Sequence, residues 1–309
     1  KKSKFVSSFG EKLLDKLVDG RLHTNFGLVA TGRMSSSDPN MQQMPSTNAV
    51  RSKIVADVGC KLITADYGSQ ELVILASNSK ERAWIEALKT GQDLHSISAS
   101  MLYGGRWTSV VEEGCLFEAE GKKCGCEKHM EMRNAAKAIS FSLAYGAGAR
   151  ALGANLGIPE REAEDLMAKF FEALPSVYDY LEDRGKFAND YAYSITNSPI
   201  GRKRFFPWFG GLSWGAINRR GKNSVIQGTA ADQTKIALVN IDYRIQTEDW
   251  PEAKILCVVH DEIVCQARAD IAEKFAEEVV KCEMELAGSV TLKNNLLKTK
   301  PNISDVWSK

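Results

Sequence analysis

The chain shows helical and strand spacing of apolar residues without a regular strand–helix–strand rhythm. Short strands are predicted on both sides of a polar loop within 20–46 and at 61–68. A hairpin is predicted at 254–267, where two apolar runs flank a three-residue turn, 260–262. Apolar positions three and four apart predict helices at 9–19, 71–79, 81–91, 93–104, 131–146, 159–174, 175–190, 224–245 and 271–288. This mixture is typical of an α+β fold with an antiparallel sheet.

Length and composition narrow the class of protein. The chain has 309 residues, 44% hydrophobic and 26% charged, which suits one large or two closely associated domains. It contains no apolar run of roughly 18 residues, and its first residues lack the apolar stretch of a signal peptide. No membrane partner is therefore expected. Seven cysteines at uneven spacing argue against a disulfide framework and for a reducing compartment, which predicts a cytoplasmic location.

The balance of charge hides an uneven arrangement. Lys and Arg total 40 against 39 Asp and Glu, yet residues 1–53 carry nine basic and four acidic side chains. Residues 191–231 carry six basic side chains and no acid. Such stretches can give a neutral protein one positive face for a polyanion. The pattern of charge alone is equally consistent with solvated surface loops.

Carboxylates stand at the ends of predicted strands. Asp66 follows the apolar run 62–65, and Asp261 and Glu262 lie in the predicted hairpin turn. Strand ends can bring distant carboxylates together, and two divalent cations about 3.5–4 Å apart need such a cluster. One ion would activate an attacking hydroxyl and the other would stabilise a leaving pyrophosphate. Acidic residues are also common in turns, so this pattern alone leaves both interpretations open.

A stripe of two cations and two aromatic rings follows one predicted helix. Arg133, Lys137, Phe141 and Tyr145 are each four residues apart, and Gly146 comes next. The order suits a nucleoside triphosphate, with its phosphates at the cations, its sugar beside Phe141 and its base near Tyr145. A helix with a basic surface end and an aromatic core end gives the same spacing. Two further segments, 31–45 and 227–233, are rich in side chains that suit phosphates and minor-groove acceptors.

Together these segments resemble the motifs of family A DNA polymerases, the DNA polymerase I-like group. The motifs follow the family's order along nearly the whole chain. The matching segments are TGRMSSSDPNMQQMP (primer-template contacts), DYGSQELVILA (motif A), GQDLHSISASMLYG (a phosphate-contacting histidine), RNAAKAISFSLAYGAG (motif B), VIQGTAAD (minor-groove contacts), VVHDEIV (motif C) and KPNISDVW (end of the palm). The YGAG sequence after motif B favours a bacteriophage lineage, which would place the protein in the cytoplasm of a bacterial host.

The resemblance implies a right-hand polymerase fold with an antiparallel palm sheet and helical fingers. It implies a remnant of the thumb–palm junction at 1–21, palm segments at 22–78 and 196–309, and fingers at 79–195. The chain begins too late for most of a thumb or for an exonuclease domain, so weak grip on the duplex and no proofreading are expected. Either a separate polypeptide supplies these parts or they have been removed.

The resemblance also implies template-directed DNA synthesis on a DNA primer from dNTPs, with two Mg²⁺ ions that Mn²⁺ can replace. Asp66 and Asp261 are the implied metal ligands, and Glu262 is an accessory catalytic carboxylate. Glu71 matches the glutamate that excludes a ribose 2′-OH. The implied nucleotide-binding residues are Tyr67, Gln70, Glu71, His95, Arg133, Lys137, Phe141, Tyr145 and Gly146. The implied DNA-binding residues are Thr31, Arg33, Asn40, Gln43, Arg219, Asn223, Gln227 and His260.

Motif A departs from the family's pattern. It has D-Y-G-S-Q-E in place of the usual D-Y-S-Q-I-E, so Gln70 replaces an apolar residue, and Val73 stands where an Arg is frequent. A polar side chain beside the position that excludes ribose would relax fidelity or sugar choice. A neutral variant is the other interpretation.

Residues 104–131 are polar, Gly-rich and weakly periodic, which predicts an inserted loop. They contain Cys115, Cys124, Cys126 and His129, spaced C-x₈-C-x-C-x₂-H. Three thiolates and one imidazole can form a tetrahedral structural Zn²⁺ site, which would order a loop with few apolar residues. Unligated thiols in a reducing compartment are the other interpretation. The remaining cysteines stand in apolar runs and are predicted in the core: Cys60, Cys257, Cys265 and Cys282.

Two other functions remain open. A single-subunit RNA polymerase would share the motif B cations and the metal aspartates, but Glu71 and the segment 31–40 argue against it. A catalytically silent DNA-binding subunit of a larger replicase would fit the late start of the chain. The intact carboxylates argue against that loss of activity.

Overall fold

The computed structural model describes residues 11–44, 48–144, 146–207 and 210–308. The chain forms two compact units, one from residues 1–70 and 230–309 and the other from residues 71–229. These divisions differ from the predicted ones at 78/79 and 195/196, and the assignment of palm and fingers stays a prediction. Among the described residues, no helix combines the length and apolar character that crossing a bilayer requires.

The first part of the chain consists mainly of short strands. The predicted helix at 9–19 is wrong beyond Leu14, because Asp19 and Gly20 have φ of 50° and 73° and form the turn of a hairpin. Two positive φ values in a two-residue loop are the mark of a type I′ turn. The elements are α1 (Glu11–Leu14), β1 (Leu17–Val18), β2 (Arg21–Leu22), β3 (Asn25–Leu28), β4 (Met34–Ser37), a 3₁₀ turn (Met41–Gln43), α2 (Asn48–Arg51) and β5 (Cys60–Asp66).

The middle of the chain is mostly helical. The predicted loop at 104–131 contains two short helices and the start of a third, so that prediction is wrong in part. Trp107 from this segment is buried with Ala99, Met132 and Ala136 in one apolar cluster. The elements are α3 (Gln70–Ser79), α4 (Arg82–Lys89), α5 (Leu94–Tyr103), α6 (Gly105–Thr108), α7 (Leu116–Glu120), α8 (Glu127–Ala144), α9 (Ala149–Leu156), α10 (Glu160–Ala173), α11 (Pro175–Tyr191), β6 (Tyr193–Ile195), β7 (Lys203–Phe205) and α12 (Trp214–Thr247).

The last part of the chain completes a four-stranded sheet in the first unit. Its strand order is β10-β5-β9-β8, and every neighbouring pair is antiparallel, which confirms the predicted α+β class. Leu62, Val264 and Trp307 belong to the core beside this sheet. The elements are β8 (Lys254–Val259), β9 (Glu262–Arg268), α13 (Ala272–Phe275), a π-helical turn (Ala276–Lys281), α14 (Cys282–Leu292) and β10 (Asn302–Ser304).

Four cysteines lie outside the 104–131 segment. Cys60 and Cys265 are buried as predicted, and Cys257 is partly buried. Cys282 is exposed, so the prediction that it lies in the core is wrong.

Candidate active site

The two central strands place the candidate metal carboxylates at one edge of the sheet. Asp66 ends β5 and lies opposite Glu262, the first residue of β9. Residues opposite each other in an antiparallel pair have Cα atoms about 4.5–5.5 Å apart. Asp261 precedes Glu262 in the turn between β8 and β9, and both aspartates are only partly buried. Asp66 and Asp261 therefore stand at neighbouring backbone positions where a divalent cation could reach both.

The turn between β8 and β9 is tighter than predicted. Val259 pairs directly with Glu262, so the loop has two residues, His260 and Asp261, and not three. His260 has φ of 59°, and the tight hairpin turns require a positive φ at that position. Gln42 fixes this turn, because its Nε2 donates to the carbonyl of Val258 at 3.2 Å and its Oε1 accepts from the backbone N–H of His260 at 2.8 Å. Sequence analysis had not singled out Gln42.

Both carboxylate oxygens of Glu262 have hydrogen-bond partners within the first unit. Its side chain is buried, Arg51 Nη1 donates to Oε2 at 3.0 Å, and Trp307 Nε1 donates to Oε1 at 2.6 Å. The Arg51 guanidinium also lies 4.4 Å from the centroid of the Trp307 ring. Both carboxylate oxygens are therefore engaged inside the first unit. The accessory catalytic role of Glu262 stays a prediction, and the arrangement adds two residues that sequence analysis missed, Arg51 and Trp307.

Two residues of motif A, predicted to bind nucleotide, have hydrogen-bond partners within the first unit, and their contact with a nucleotide stays a prediction. Tyr67 is buried and its hydroxyl donates to the carbonyl of Met284 at 2.9 Å. Its burial, and to a lesser degree the negative charge of Asp261, raise the pKa of that hydroxyl far above its usual range. Gln70 is also buried, and its Nε2 donates to Gln233 Oε1 at 3.0 Å and to the carbonyl of Ala230 at 3.3 Å. The first unit thus accommodates a polar residue where the family has an apolar one.

The predicted DNA-binding residues of the first unit are spread over one cleft and its surroundings. Arg33 and His260 line the cleft together with Lys235, so three basic side chains come together there. Of the other DNA-binding residues predicted in this unit, Thr31 is buried and Gln43 is exposed. The side chain of Asn40 accepts a hydrogen bond from the Gln43 N–H at 3.2 Å and so begins the 3₁₀ turn.

In the second unit, α8 carries the predicted stripe of cations and aromatic rings. Arg133 makes two hydrogen bonds to the carboxylate of Asp93, Nε to Oδ2 at 2.7 Å and Nη2 to Oδ1 at 2.8 Å. Asp93 also accepts from the N–H of Ser96 at 2.8 Å, as the N-cap of α5. Burial opposes ionisation of Asp93, but the hydrogen bonds from Arg133 and Ser96 outweigh it and lower its pKa to about 2. Arg133 is therefore held in one orientation by a charged partner.

The next members of the stripe lie one and two turns further along α8. Lys137 is exposed, and its Nζ lies 5.6 Å from the centroid of the Phe141 ring. Tyr145 lies outside the described residues. Gly146 has φ of 67°, and a Cβ there would lie 2.6 Å from the carbonyl oxygen of Arg219. The positive φ and the close approach of the Arg219 carbonyl explain why glycine occupies position 146, and a nucleotide contact there stays a prediction.

The remaining predicted residues of the second unit lie on three helices. Glu71 is buried in the first turn of α3. Arg219, Asn223 and Gln227 are four residues apart on α12 and therefore share one stripe of that helix. Arg219 is exposed, whereas the other two are partly buried.

His95 is a buried neutral imidazole. It lies on α5 with its ring centroid 5.9 Å from that of Phe141. Burial, followed by the positive charge of Arg133, lowers its pKa to about 4. The predicted phosphate contact would therefore be a hydrogen bond from an uncharged ring at neutral pH, and the cationic charge would come from Arg133 and Lys137.

The depressed pKa of His95 predicts a loss of stability in mild acid. Since the pKa falls from 6.5 to about 4 on folding, the unfolded chain binds the proton more readily between those values. The stabilisation of the folded state by neutral His95 is fully present above pH 6.5. It is lost progressively as the pH falls towards 4, and the loss there is about 3 kcal/mol. Unfolding by urea at several pH values should show a flatter dependence for His95→Gln than for the wild type. The exposed His23 provides the control, because His23→Gln should keep the wild-type slope. A wild-type slope in His95→Gln would contradict the burial argument.

Comparison with known proteins supports the resemblance to family A DNA polymerases. The profile of DNA polymerase family A matches residues 1–309. The chain is 33% identical over 296 residues to DNA polymerase I of Caldicellulosiruptor bescii, an alignment that covers 92% of this chain and 32% of that protein. It is 34% identical over 266 residues to the thermostable DNA polymerase I of Thermus thermophilus, covering 83% of this chain and 29% of that protein.

A solved structure shows the same similarity. The POL domain of Pol1 from M. smegmatis, in complex with DNA primer-template and dNTP, matches with a TM-score of 0.82 and 31% identity over 99% of this chain and 52% of that chain. The chain thus spans about a third of the length of the two bacterial relatives and about half of the solved chain. The predicted polymerase fold is confirmed, and the bacteriophage lineage stays a prediction. The chain belongs to DNA polymerase family A.

Proposed function

We propose that this chain catalyses template-directed DNA synthesis, adding deoxynucleotides from dNTPs to the 3′-OH of a DNA primer. The observation that carries the proposal is the placement of Asp66 and Asp261 at one edge of the palm sheet. Carboxylates are the protein ligands that Mg²⁺ prefers, and the ion takes its other ligands from water and substrate phosphates. The pair therefore suits a metal-dependent phosphoryl transfer.

Asp66 and Asp261 would hold the metal ions of this reaction. Two bound Mg²⁺ would activate the primer hydroxyl and stabilise the leaving pyrophosphate, and Mn²⁺ would serve in their place. Tyr67 and Gln42 act on the site indirectly, because they fix the backbone beside the two aspartates. Rigid support of this kind keeps catalytic groups in the geometry that the transition state needs.

The helix α8 would bind the nucleotide. Arg133 and Lys137 would bind the triphosphate, Phe141 would lie against the sugar, and Tyr145 would lie near the base. Arg133 already forms a two-point hydrogen bond to a carboxylate, and phosphate presents a similar pair of oxygens. A triphosphate carries more negative charge than Asp93, so we expect it to take over the guanidinium when it binds.

Sugar selection and DNA contacts complete the proposal. Glu71 would occupy the space of a ribose 2′-OH and so favour deoxynucleotides. In the first unit, Arg33 and His260 would contact the DNA, and Lys235 joins them in the same cleft. In the second unit, the stripe of Arg219, Asn223 and Gln227 on α12 offers one cation and two amides for phosphates and minor-groove acceptors.

Extension of a recessed DNA primer by the purified 309-residue chain tests the proposal. The reaction would contain Mg²⁺ at low salt, with dNTPs in one series and ribonucleotides in another. We expect template-dependent extension with dNTPs and little with ribonucleotides. A preference for ribonucleotides would instead identify an RNA polymerase. Binding of primer-template without any extension would identify a DNA-binding subunit.

The sugar pocket gives a further prediction. Phe141 has no hydroxyl, so we expect the chain to discriminate strongly against dideoxynucleotides, and Phe141→Tyr to relax that discrimination. Competition between dNTP and dideoxy-NTP in single-turnover extension measures the ratio. Phe171→Tyr is a suitable control, since Phe171 lies on α10 outside motif B. An unchanged ratio in Phe141→Tyr would refute the placement of this ring beside the sugar.

A further inference from the structure

Four potential metal ligands from the 104–131 segment converge in the second unit. They are Cys115, Cys124, Cys126 and His129, and one ligand atom from each lies within 4.8 Å of all the others. All four residues are buried, with exposed fractions of 5%, 4%, 5% and 1%. Residues separated by up to 14 positions have thus been gathered into one enclosed group. Ordinary apolar packing does not require an imidazole at its centre.

The distances match those of a tetrahedral site. Nδ1 of His129 lies 3.4 Å from Sγ of Cys115 and 3.5 Å from Sγ of Cys124. Zinc bonds of about 2.3 Å to sulfur and about 2.0–2.1 Å to nitrogen, at tetrahedral angles, give a nitrogen–sulfur separation of about 3.6 Å. Little rearrangement would be needed for an ion to enter.

The surroundings orient the imidazole for metal binding. Nε2 of His129 lies 3.0 Å from the backbone carbonyl of Trp107, and a carbonyl oxygen can only accept, so Nε2 carries the proton. The lone pair is then on Nδ1, which faces the sulfurs. Metal-binding histidines typically donate their other ring N–H in this way. The Trp107 ring stacks on the imidazole, with centroids 3.8 Å apart and planes 4° from parallel, and fixes its orientation further.

We propose that Cys115, Cys124, Cys126 and His129 bind one structural Zn²⁺ ion, which fixes the start of α8. Three thiolates and one imidazole fill all four positions of a tetrahedral ion, so no position remains for substrate. Cys126 directly precedes α8 and His129 lies in its first turn, so the ion ties the helix to α7 and to the 104–126 segment. Arg133 follows His129 by one turn of the helix, and its position therefore depends on this anchor.

The direct test is the metal content of the full chain. The chain would be purified without chelators or a histidine tag from zinc-supplemented cells and analysed by mass spectrometry. We expect about one zinc per chain. Replacement by Co²⁺ should give the thiolate-to-metal charge-transfer bands and intense visible bands of a tetrahedral cobalt site. Less than about one zinc per five chains, or iron in its place, would overturn the proposal.

Variants separate metal binding from packing. Cys124→Ser and His129→Asn should lose the zinc and lower the midpoint of thermal unfolding by about 5 °C or more. His129→Cys restores a fourth ligand and should retain the metal. Cys282→Ser removes an exposed thiol outside the cluster and should keep both zinc and midpoint. If His129→Asn kept its zinc, or if Cys282→Ser lost it, the assigned ligands would be wrong.

The consequence for nucleotide binding rests on the proposed function. Zinc-depleted chain should show a KM for dNTP raised several-fold, because the first turn of α8 would no longer hold Arg133 in place. Readdition of Zn²⁺ should restore the KM in the wild type but not in Cys124→Ser. Metal content is measured without any activity, so a zinc site in a chain that does not extend primers would refute the proposed function alone. An unchanged KM in zinc-depleted chain would refute the link from the ion to Arg133.

Discussion

Asp261→Asn should abolish primer extension, lowering its rate by about 10³-fold or more. The aspartate lies in a two-residue turn beside the edge position of Asp66, and an amide contributes no negative charge to a bound divalent cation. A metal ion at such a site supplies several kcal/mol of transition-state stabilisation, and each 1.36 kcal/mol is a factor of ten in rate. Single-turnover extension of a recessed primer with Mg²⁺ measures the loss directly.

The matched control is Asp270→Asn. Asp270 follows the other end of β9 and forms an exposed ion pair with Arg268, so the substitution removes a carboxylate near the same strand without touching the proposed site. We expect it to extend primers at the wild-type rate. Circular dichroism should show both variants folded. Extension by Asp261→Asn at close to the wild-type rate would exclude Asp261 as a metal ligand.

The elements that carry the site could be predicted from local sequence. The apolar run before Asp66 and the two runs around Asp261 are strands in the structure, and they pair as expected for an antiparallel palm sheet. Arg133, Lys137 and Phe141 lie on one continuous helix, α8, as their spacing predicts. These features depend on neighbours in the chain, so their pattern is visible in the sequence itself.

The roles of single side chains were harder to predict, because they depend on partners far away in the chain. Gln70 is predicted to bind nucleotide, and sequence analysis did not reveal that its amide binds Gln233, more than 160 residues later. Glu262 is predicted as an accessory catalytic carboxylate, and sequence analysis did not reveal that its oxygens bind Arg51 and Trp307. Gln42 has no local pattern that distinguishes it from Gln43, although it fixes the turn that carries Asp261. No local spacing reveals such pairs.

The predictions of local structure at residues 9–19 and 104–131 were wrong in part for a different reason. Residues 9–19 have helical spacing, but Asp19 and Gly20 readily adopt the positive φ values of a hairpin turn, and that preference outweighs the pattern in this segment. The 104–131 segment has weak periodicity, yet Trp107 and the partly buried Phe117 anchor it to Ala99, Met132 and Ala136 in the apolar cluster of the second unit. A few large buried side chains can order a polar segment that looks like a loop.

The buried carboxylate of Glu262 gives the second large expected effect. Glu262→Gln should lower the free energy of unfolding by about 3–5 kcal/mol, the usual result of removing one member of a buried ion pair. The Arg51 side chain is 7% exposed, and its positive charge would lose the only carboxylate shown to bind it among the described residues. An amide also has one oxygen, so either Arg51 or the Trp307 N–H must face its NH₂ group. Urea unfolding followed by circular dichroism measures the loss.

A double variant distinguishes the ion pair from a general packing defect. Arg51→Met removes the cation, so Arg51→Met/Glu262→Gln should be more stable than Glu262→Gln alone, with the amide oxygen left to accept from Trp307 Nε1. Asp270→Asn breaks an exposed pair and should leave the free energy of unfolding unchanged. Wild-type stability in Glu262→Gln would show that the carboxylate is not needed for the fold and would favour the predicted catalytic role of Glu262. If Glu262→Gln loses stability and the double variant regains it, then Glu262 has a structural role. It would hold β9 and its turn in position for Asp261.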